Sequence, residues 1–301
     1  MTKRRNAAIT ALLAATVSLT VPGPSRGEET RKGRMHLLLN GGFAFIDVQD
    51  INNCIMARSP WNEAPNGYLE WDPVKRSKEI GIEVGFDPTK HASVGIGVGY
   101  SFFDNSGEFG FRDGSMTRHE TWQWTSIPLF ATLHYGIPID STSTITVHGE
   151  GGYYFGHLDG FKDVRWDYRS SGEDDYGRQE GEIDATSNAL SGSVGLGVDI
   201  ALRKGISLIL EGSYRALTFK DIQGSERIRS YQGAGLVDSS SRQGYLWHAE
   251  YRDENGTWHH DSFFQEGPLN NPPWTSRHAD YDLGGISLKM GVKYSFGSPF
   301  R

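Results

Sequence analysis

The chain has 301 residues, enough for one large domain or two small ones. Its 30 basic and 37 acidic residues give a formal net charge of −7, which argues against a nucleic-acid-binding surface. Mean hydropathy is −0.49 and no run of eighteen apolar residues occurs, so a helical membrane span is excluded, but a membrane-crossing sheet is not.

Taken in chain order, the first element is a processing signal. Lys3, Arg4 and Arg5 precede an apolar stretch, Ala7 to Val21, and small residues follow at Ser25 and Gly27. This pattern predicts a signal peptide over residues 1–27, with an export-competent chain from 28 to 301. Removing that segment takes away four basic residues and no acid, which leaves 26 basic and 37 acidic residues. An exported chain can form disulfides, but Cys54 is the single cysteine and has no internal partner. No cysteine lies beside the apolar stretch to carry a lipid anchor.

From residue 34 onward, apolar side chains recur at every second position, the period of a strand with one apolar face. The first segment presents Met35, Leu37, Leu39, Phe43 and Phe45, and the second Ile80, Ile82, Val84 and Phe86. The third alternates Val94, Ile96, Val98, Tyr100 and Phe102 against serines and glycines, and the fourth carries Ile127, Leu129, Ala131, Leu133 and Tyr135. Ile145, Val147, Tyr153 and Phe155 mark the fifth, and Leu190, Val194, Leu196, Val198 and Ile200 the sixth. Ile206, Leu208, Leu210 and Tyr214 mark the seventh. The eighth is the clearest, with Ile286, Leu288, Met290, Val292, Tyr294 and Phe296 opposing Ser287, Lys289, Gly291, Lys293 and Ser295. Short links at 87–90, 137–140 and 203–205 alternate with long ones at 47–77, 104–120, 157–187 and 218–283.

Over residues 34–296 this pattern resembles the small bacterial outer-membrane β-barrel proteins, the eight-stranded porin-like group. The resemblance rests on the export signal, the strand alternation and the asymmetry of the links. It implies an all-β fold, a closed antiparallel transmembrane β-barrel of eight strands in meander topology, with short periplasmic turns and long extracellular loops. It also implies outer-membrane lipid and the barrel assembly machinery as partners. Members of the group often end on an aromatic residue in the last strand. Phe296 could fill that place, although Arg301 is the terminal residue.

The inward positions of these strands carry Glu79, Glu83, Glu150, Asp199, Glu211, Arg215, Lys289 and Lys293, with His134 and His148. An eight-stranded ring is just wide enough for its side chains to fill it. Buried charge must be paired, so these residues are expected to form an interior salt-bridge network, with Glu211 or Arg215 approaching Lys289 and Lys293. Glu79 and Glu83 lie four apart on one face, too far apart for a paired-carboxylate hydrolase site without help from another strand. Trp122, Trp124, Tyr153 and Phe155 are expected at the loop-side rim as an interfacial girdle. Because the two tryptophans are out of phase with Ile127, a bulge or a register change near Ser126 is an open reading.

Segment 157–187 holds nine acidic residues, including Glu173-Asp174-Asp175, in a spacing that matches no EF-hand loop. Divalent bridging to phosphate-rich lipid is an open reading of that cluster. Segment 218–283 contains a hairpin pattern, Tyr245–Tyr251 and Thr257–Phe263 around Asp253-Glu254-Asn255-Gly256. His248, His259, His260 and His278 fall here. His259 and His260 are adjacent and so point to opposite faces, and no shared metal site is expected. No catalytic residue and no cofactor is assigned. The first functional reading is a structural or surface-interaction protein whose loops contact lipid, matrix or an extracellular partner. A narrow channel for water or small polar solutes is the alternative, and a surface hydrolase the second.

Overall fold

The computed structural model describes residues 33–56, 66–169, 176–233, 235–252, 258–268 and 273–297. The expected signal peptide, the Glu173-Asp174-Asp175 cluster, the turn 253–256 and Arg301 lie outside the described residues.

Fourteen strands and one helix form among the described residues. They are β1 (Arg34–Phe45), α1 (Gln49–Met56), β2 (Gly67–Glu70), β3 (Arg76–Asp87), β4 (Ala92–Phe111), β5 (Met116–Pro138), β6 (Ser143–Asp167) and β7 (Tyr176–Arg203). After these come β8 (Ile206–Phe219), β9 (Gln223–Gln232), β10 (Gly235–Arg252), β11 (Trp258–Gln265), β12 (Thr275–His278), β13 (Tyr281–Asp282) and β14 (Gly285–Phe296). All pairings are antiparallel. The strand order is β11-β10-β9-β7-β6-β5-β4-β3-β1-β14-β8-β13, with β2 on β4, β12 on β10 and a further pairing of β7 with β8.

This topology corrects the expected closed eight-stranded meander. The pairings around β1, β3 to β8 and β14 return on themselves as a ring of strands, but that ring is not a simple meander with loops. β7 forks: Ser191 to Arg203 pair with β8, while Arg178 to Thr186 pair with β9. β9 hands on to β10, and β10 to β11 and β12, so 218–283 is largely sheet. The physical reason lies in strand length. The segments read as loops at 104–120 and 157–187 instead prolong their strands, giving β5, β6 and β7 lengths of 23, 25 and 28 residues. A prolonged β7 would leave a bare row of backbone donors and acceptors, and β9 covers it.

The short links sit where the pattern placed them. β3 and β4, β5 and β6, and β7 and β8 are joined by tight turns, the last using Gly205 at φ 77°. Neither a bulge nor a register change occurs near Ser126. β5 and β6 stay in one register from Met116–Trp166 to Pro138–Thr144. The β4–β5 ladder skips only the pairs opposite Ile127 and Pro128, because a proline has no N–H to give it.

One face of the ring is apolar and turned outward. Leu39 and Phe43 on β1, Val84 on β3, Ile96 on β4, Leu129 on β5, Val147 on β6, Leu190 on β7, Leu210 on β8 and Met290 on β14 are all exposed. Leu190 is 79% exposed and Ile96 71%, values a protein core would never leave to its largest apolar side chains. The buried apolar residues gather elsewhere, at the end of the ring away from the tight turns. There Trp124, Leu158, Phe219, Ile222, Leu246, Phe264 and Tyr281 enclose Val48, Ile51 and Ile55 of the α1 segment.

Candidate functional site

The inward face of the ring divides into two polar tiers beneath that apolar core. In the tier nearer the core, Arg215 Nη1 donates to Glu79 Oε1 at 2.5 Å. The same carboxylate accepts from Ser287 Oγ at 3.2 Å and faces Lys289 Nζ at 3.6 Å. Tyr154 donates to Glu150 Oε1 at 3.2 Å, and the Arg215 guanidinium stands 5.8 Å over the Tyr154 ring. A small cavity lies among these groups, lined in part by Asn40, Glu79, Glu150, Tyr154, Arg215 and Lys289. Two acidic and two basic side chains balance around it, the condition a buried polar cluster must meet.

The second tier lies toward the tight turns. Glu83 is flanked by His134 Nε2 at 3.4 Å and His36 Nε2 at 3.6 Å, and His36 Nδ1 lies 3.2 Å from Asp87. His148 Nε2 meets Glu211 at 2.9 Å, and Lys293 pairs with Asp199. Inward glycines make room for these long side chains. A Cβ at Gly95 would come within 2.2 Å of Glu83, and one at Gly195 within 2.4 Å of His148.

All eight charged residues named from the sequence lie on these inward faces; Glu211 stands opposite Lys289 in the β8–β14 register, as expected, but the closest ion pairs are others. Glu211 meets His148 and Arg215 meets Glu79, and Lys293 reaches across to β7. His36 is a member that sequence reasoning missed, although its even number on β1 placed it inward beside Leu38 and Asn40. The aromatic residues divide. Tyr153 and Phe155 are 40% and 45% exposed on the outward face, with ring centroids 5.0 Å apart. Trp122 and Trp124 are 6% and 0% exposed and turn inward, as unbroken alternation from Ile127 requires. Trp124 packs edge-on against Phe219 at 4.7 Å and Tyr281 at 5.3 Å.

The apolar core caps the polar tiers and is tied to the ring by specific bonds. Asn52 on α1 both donates to the Val74 carbonyl at 3.0 Å and accepts from the Val74 amide at 2.7 Å. Asp50, buried on the same helix, receives Arg277 Nη1 at 2.9 Å and the Asp280 amide at 2.7 Å. The Leu283 amide donates to the Leu217 carbonyl at 2.8 Å, which stitches the segment before β14 to β8.

Beyond the core, the β10–β11 hairpin carries a second polar group. Register pairs Glu250 with His260 across the strands, and His248 lies two residues before Glu250 on the same face. His248 Nε2 lies 3.1 Å from His260 Nδ1. Burial holds the His248 imidazole below its ordinary pKa, and Asp50 opposes that effect without overcoming it. Cys54 of α1 lies close by, its Sγ 3.9 Å from His248 Nδ1 and 3.3 Å from Ser262 Oγ. The side chains of Trp258 and His259 are outside the described set.

These features define an antiparallel β-sheet protein with an apolar outer face and a charge-paired interior capped by its own segments. No helix among the described residues is long and apolar enough to cross a membrane, which says nothing of strands. No protein-family model matches the chain, and no curated protein matches it. Among solved structures, it is similar to the outer membrane protein OprG from Pseudomonas aeruginosa, at 13% identity and a TM-score of 0.36, over 89% of this chain and 99% of that one. It is also similar to a major outer membrane protein from Thermus thermophilus, at 12% identity and a TM-score of 0.36, over 87% and 99%. The outer membrane protease OmpT from Escherichia coli matches at 9% identity and a TM-score of 0.31, over 90% and 99%.

Proposed function

We propose that the protein resides in a bacterial outer membrane, with the apolar outer face of its ring of strands against lipid, and works there as a non-conducting structural or surface-interaction protein. One observation carries this reading: large apolar side chains face outward on all eight strands of the ring, while the buried ion pairs Arg215–Glu79 and Lys293–Asp199 face inward. In water that arrangement would expose a broad apolar surface, and in lipid it is the lower-energy side to present. The cap of Trp124, Phe219 and Tyr281 over the paired charges supports a lumen closed to ions. The sheet beyond the cap, β9 to β12, then supplies the surface offered to an extracellular or matrix partner. The final strand ending at Phe296 is the segment that barrel assembly machinery would engage.

The test is made on the mature chain folded in detergent and transferred to planar lipid bilayers. The expected result is stable insertion with no reproducible conductance, together with labelling of Leu190 and Ile96 positions by a lipid-soluble photoprobe. A steady small conductance would turn the reading to a narrow channel. A chain that stays monomeric in plain buffer, with those positions unlabelled, would sink the membrane placement itself.

A further inference from the structure

The β10–β11 hairpin brings together two imidazoles and a carboxylate from different strands. His248 Nε2, His260 Nδ1 and Glu250 Oε2 are separated by 3.1 Å, 3.7 Å and 4.0 Å. All three ligand atoms lie within 4.8 Å of one another. Around a tetrahedral zinc ion with ligands at about 2.0–2.1 Å, neighbouring ligand atoms stand about 3.3 Å apart. The imidazole pair already has nearly that spacing. The Glu250 side chain is 41% exposed, so it can swing in by the few tenths of an ångström still needed.

We propose that His248, His260 and Glu250 form a binding site for a divalent transition metal, with Zn²⁺ as the best match and one coordination position left for water. Two nitrogens and one carboxylate oxygen are a donor set for zinc and its transition-metal neighbours; calcium and magnesium take oxygen ligands. In the metal-free protein one imidazole N–H spans the 3.1 Å contact, and on metal binding that ring carries its proton on the far nitrogen instead, so that both facing nitrogens offer lone pairs.

The surroundings hold the ligands in place. β10 is paired on one side by β11 and on the other by β12, so His248 and Glu250 sit on an interior strand. Thr275 Oγ1 donates to the Glu250 carbonyl at 3.1 Å. The second nitrogen of His248 faces Cys54 Sγ and Asp50 Oδ1, both at 3.9 Å, which leaves Nε2 directed at the site. Arg277, the nearby cation, is bound by Asp50.

The experiment titrates the full folded chain in detergent, stripped with chelator, against ZnCl2 by calorimetry and by competition with a chromogenic chelator. One Zn²⁺ per chain is expected, unaffected by excess Mg²⁺. His260→Ala and Glu250→Gln should each weaken binding by at least the roughly 10–100-fold that loss of even a supporting partner costs. Where His260→Ala fails to fold, as judged by heat-modifiable migration, Glu250→Gln carries the test. The second cluster of such groups, His157, Asp159 and Asp184, is the internal control, and His157→Ala should leave binding unchanged. The proposal is overturned by lack of stoichiometric binding, by displacement with Mg²⁺, by full binding in both site variants, or by loss of binding in His157→Ala.

Discussion

Arg215 on β8 spends its guanidinium on two elements at once: Nη1 donates to Glu79 on β3 at 2.5 Å, and Nη2 donates to the Leu283 carbonyl at 2.8 Å. Its side chain is 5% exposed and that of Glu79 is 7%. One buried cation therefore joins the wall of the ring to the segment that caps it.

Breaking this pair from one side should be costly. Arg215→Met is expected to destabilise the protein by about 3–5 kcal/mol, because Glu79 would remain buried and charged without its main partner. The double variant Arg215→Met with Glu79→Gln should recover much of that loss. Urea midpoints of the folded chain in detergent, taken through the full double-mutant cycle, measure the coupling.

Trp124 is the keystone of the cap. It is fully buried between Phe219 and Tyr281, and Trp124→Ala is expected to cost about 3–5 kcal/mol through lost burial and the cavity left behind. Hydrogen exchange should accelerate first at the Ala279 and Leu283 amides, which bond to Leu246 and Leu217 at the edge of that core. Equal acceleration throughout the ring would argue that the cap is not a separate unit.

The outer face gives an opposite kind of prediction. Leu196 is 61% exposed, so in an aqueous protein Leu196→Arg would change little. Against lipid the same change should cost about 2–4 kcal/mol near the midplane. Folding titrations in phospholipid vesicles measure the difference, with Ser239→Arg on the exposed stretch of β10 as the neutral reference.

Asp163, on the prolonged part of β6, predicts a local pH response. Burial works against its ionisation, but hydrogen bonds from Arg178 at 2.7 Å and Arg165 at 2.8 Å outweigh that and hold its carboxyl below the ordinary value of 3.8. A carboxyl lowered in the folded state contributes stability that is complete above its unfolded pKa and is lost as pH falls through the folded one. Amide protection where β6 meets β7, near Arg165 and Arg178, should hold at pH 5 and weaken below pH about 3.8. Asp163→Asn should show the weaker protection at both pH values.

Alternation by itself determined which side chains face out and which face in. Side chains of a strand point to opposite faces in turn, so Ile286 and Lys289 were assigned to their faces before any partner was known. The same parity places Trp122 and Trp124 inward, with no bulge needed to explain their phase. The inward set of charges was legible for the same reason, whereas the partners of Arg215 and Lys293 were not, since reaching Glu79 on β3 or Asp199 on β7 depends on the stagger of strands around the ring. Tertiary structure alone decided three things: the fork of β7, the cap built from α1 and the residues before β14, and the His248–Glu250–His260 group. The fork and the cap depend on register between strands distant in sequence, and the His248–Glu250–His260 group on the exact register of a hairpin whose two strands the sequence did mark. A backbone ladder can form in many registers, and what selects one is long-range packing and the covering of exposed edges, which no local pattern encodes.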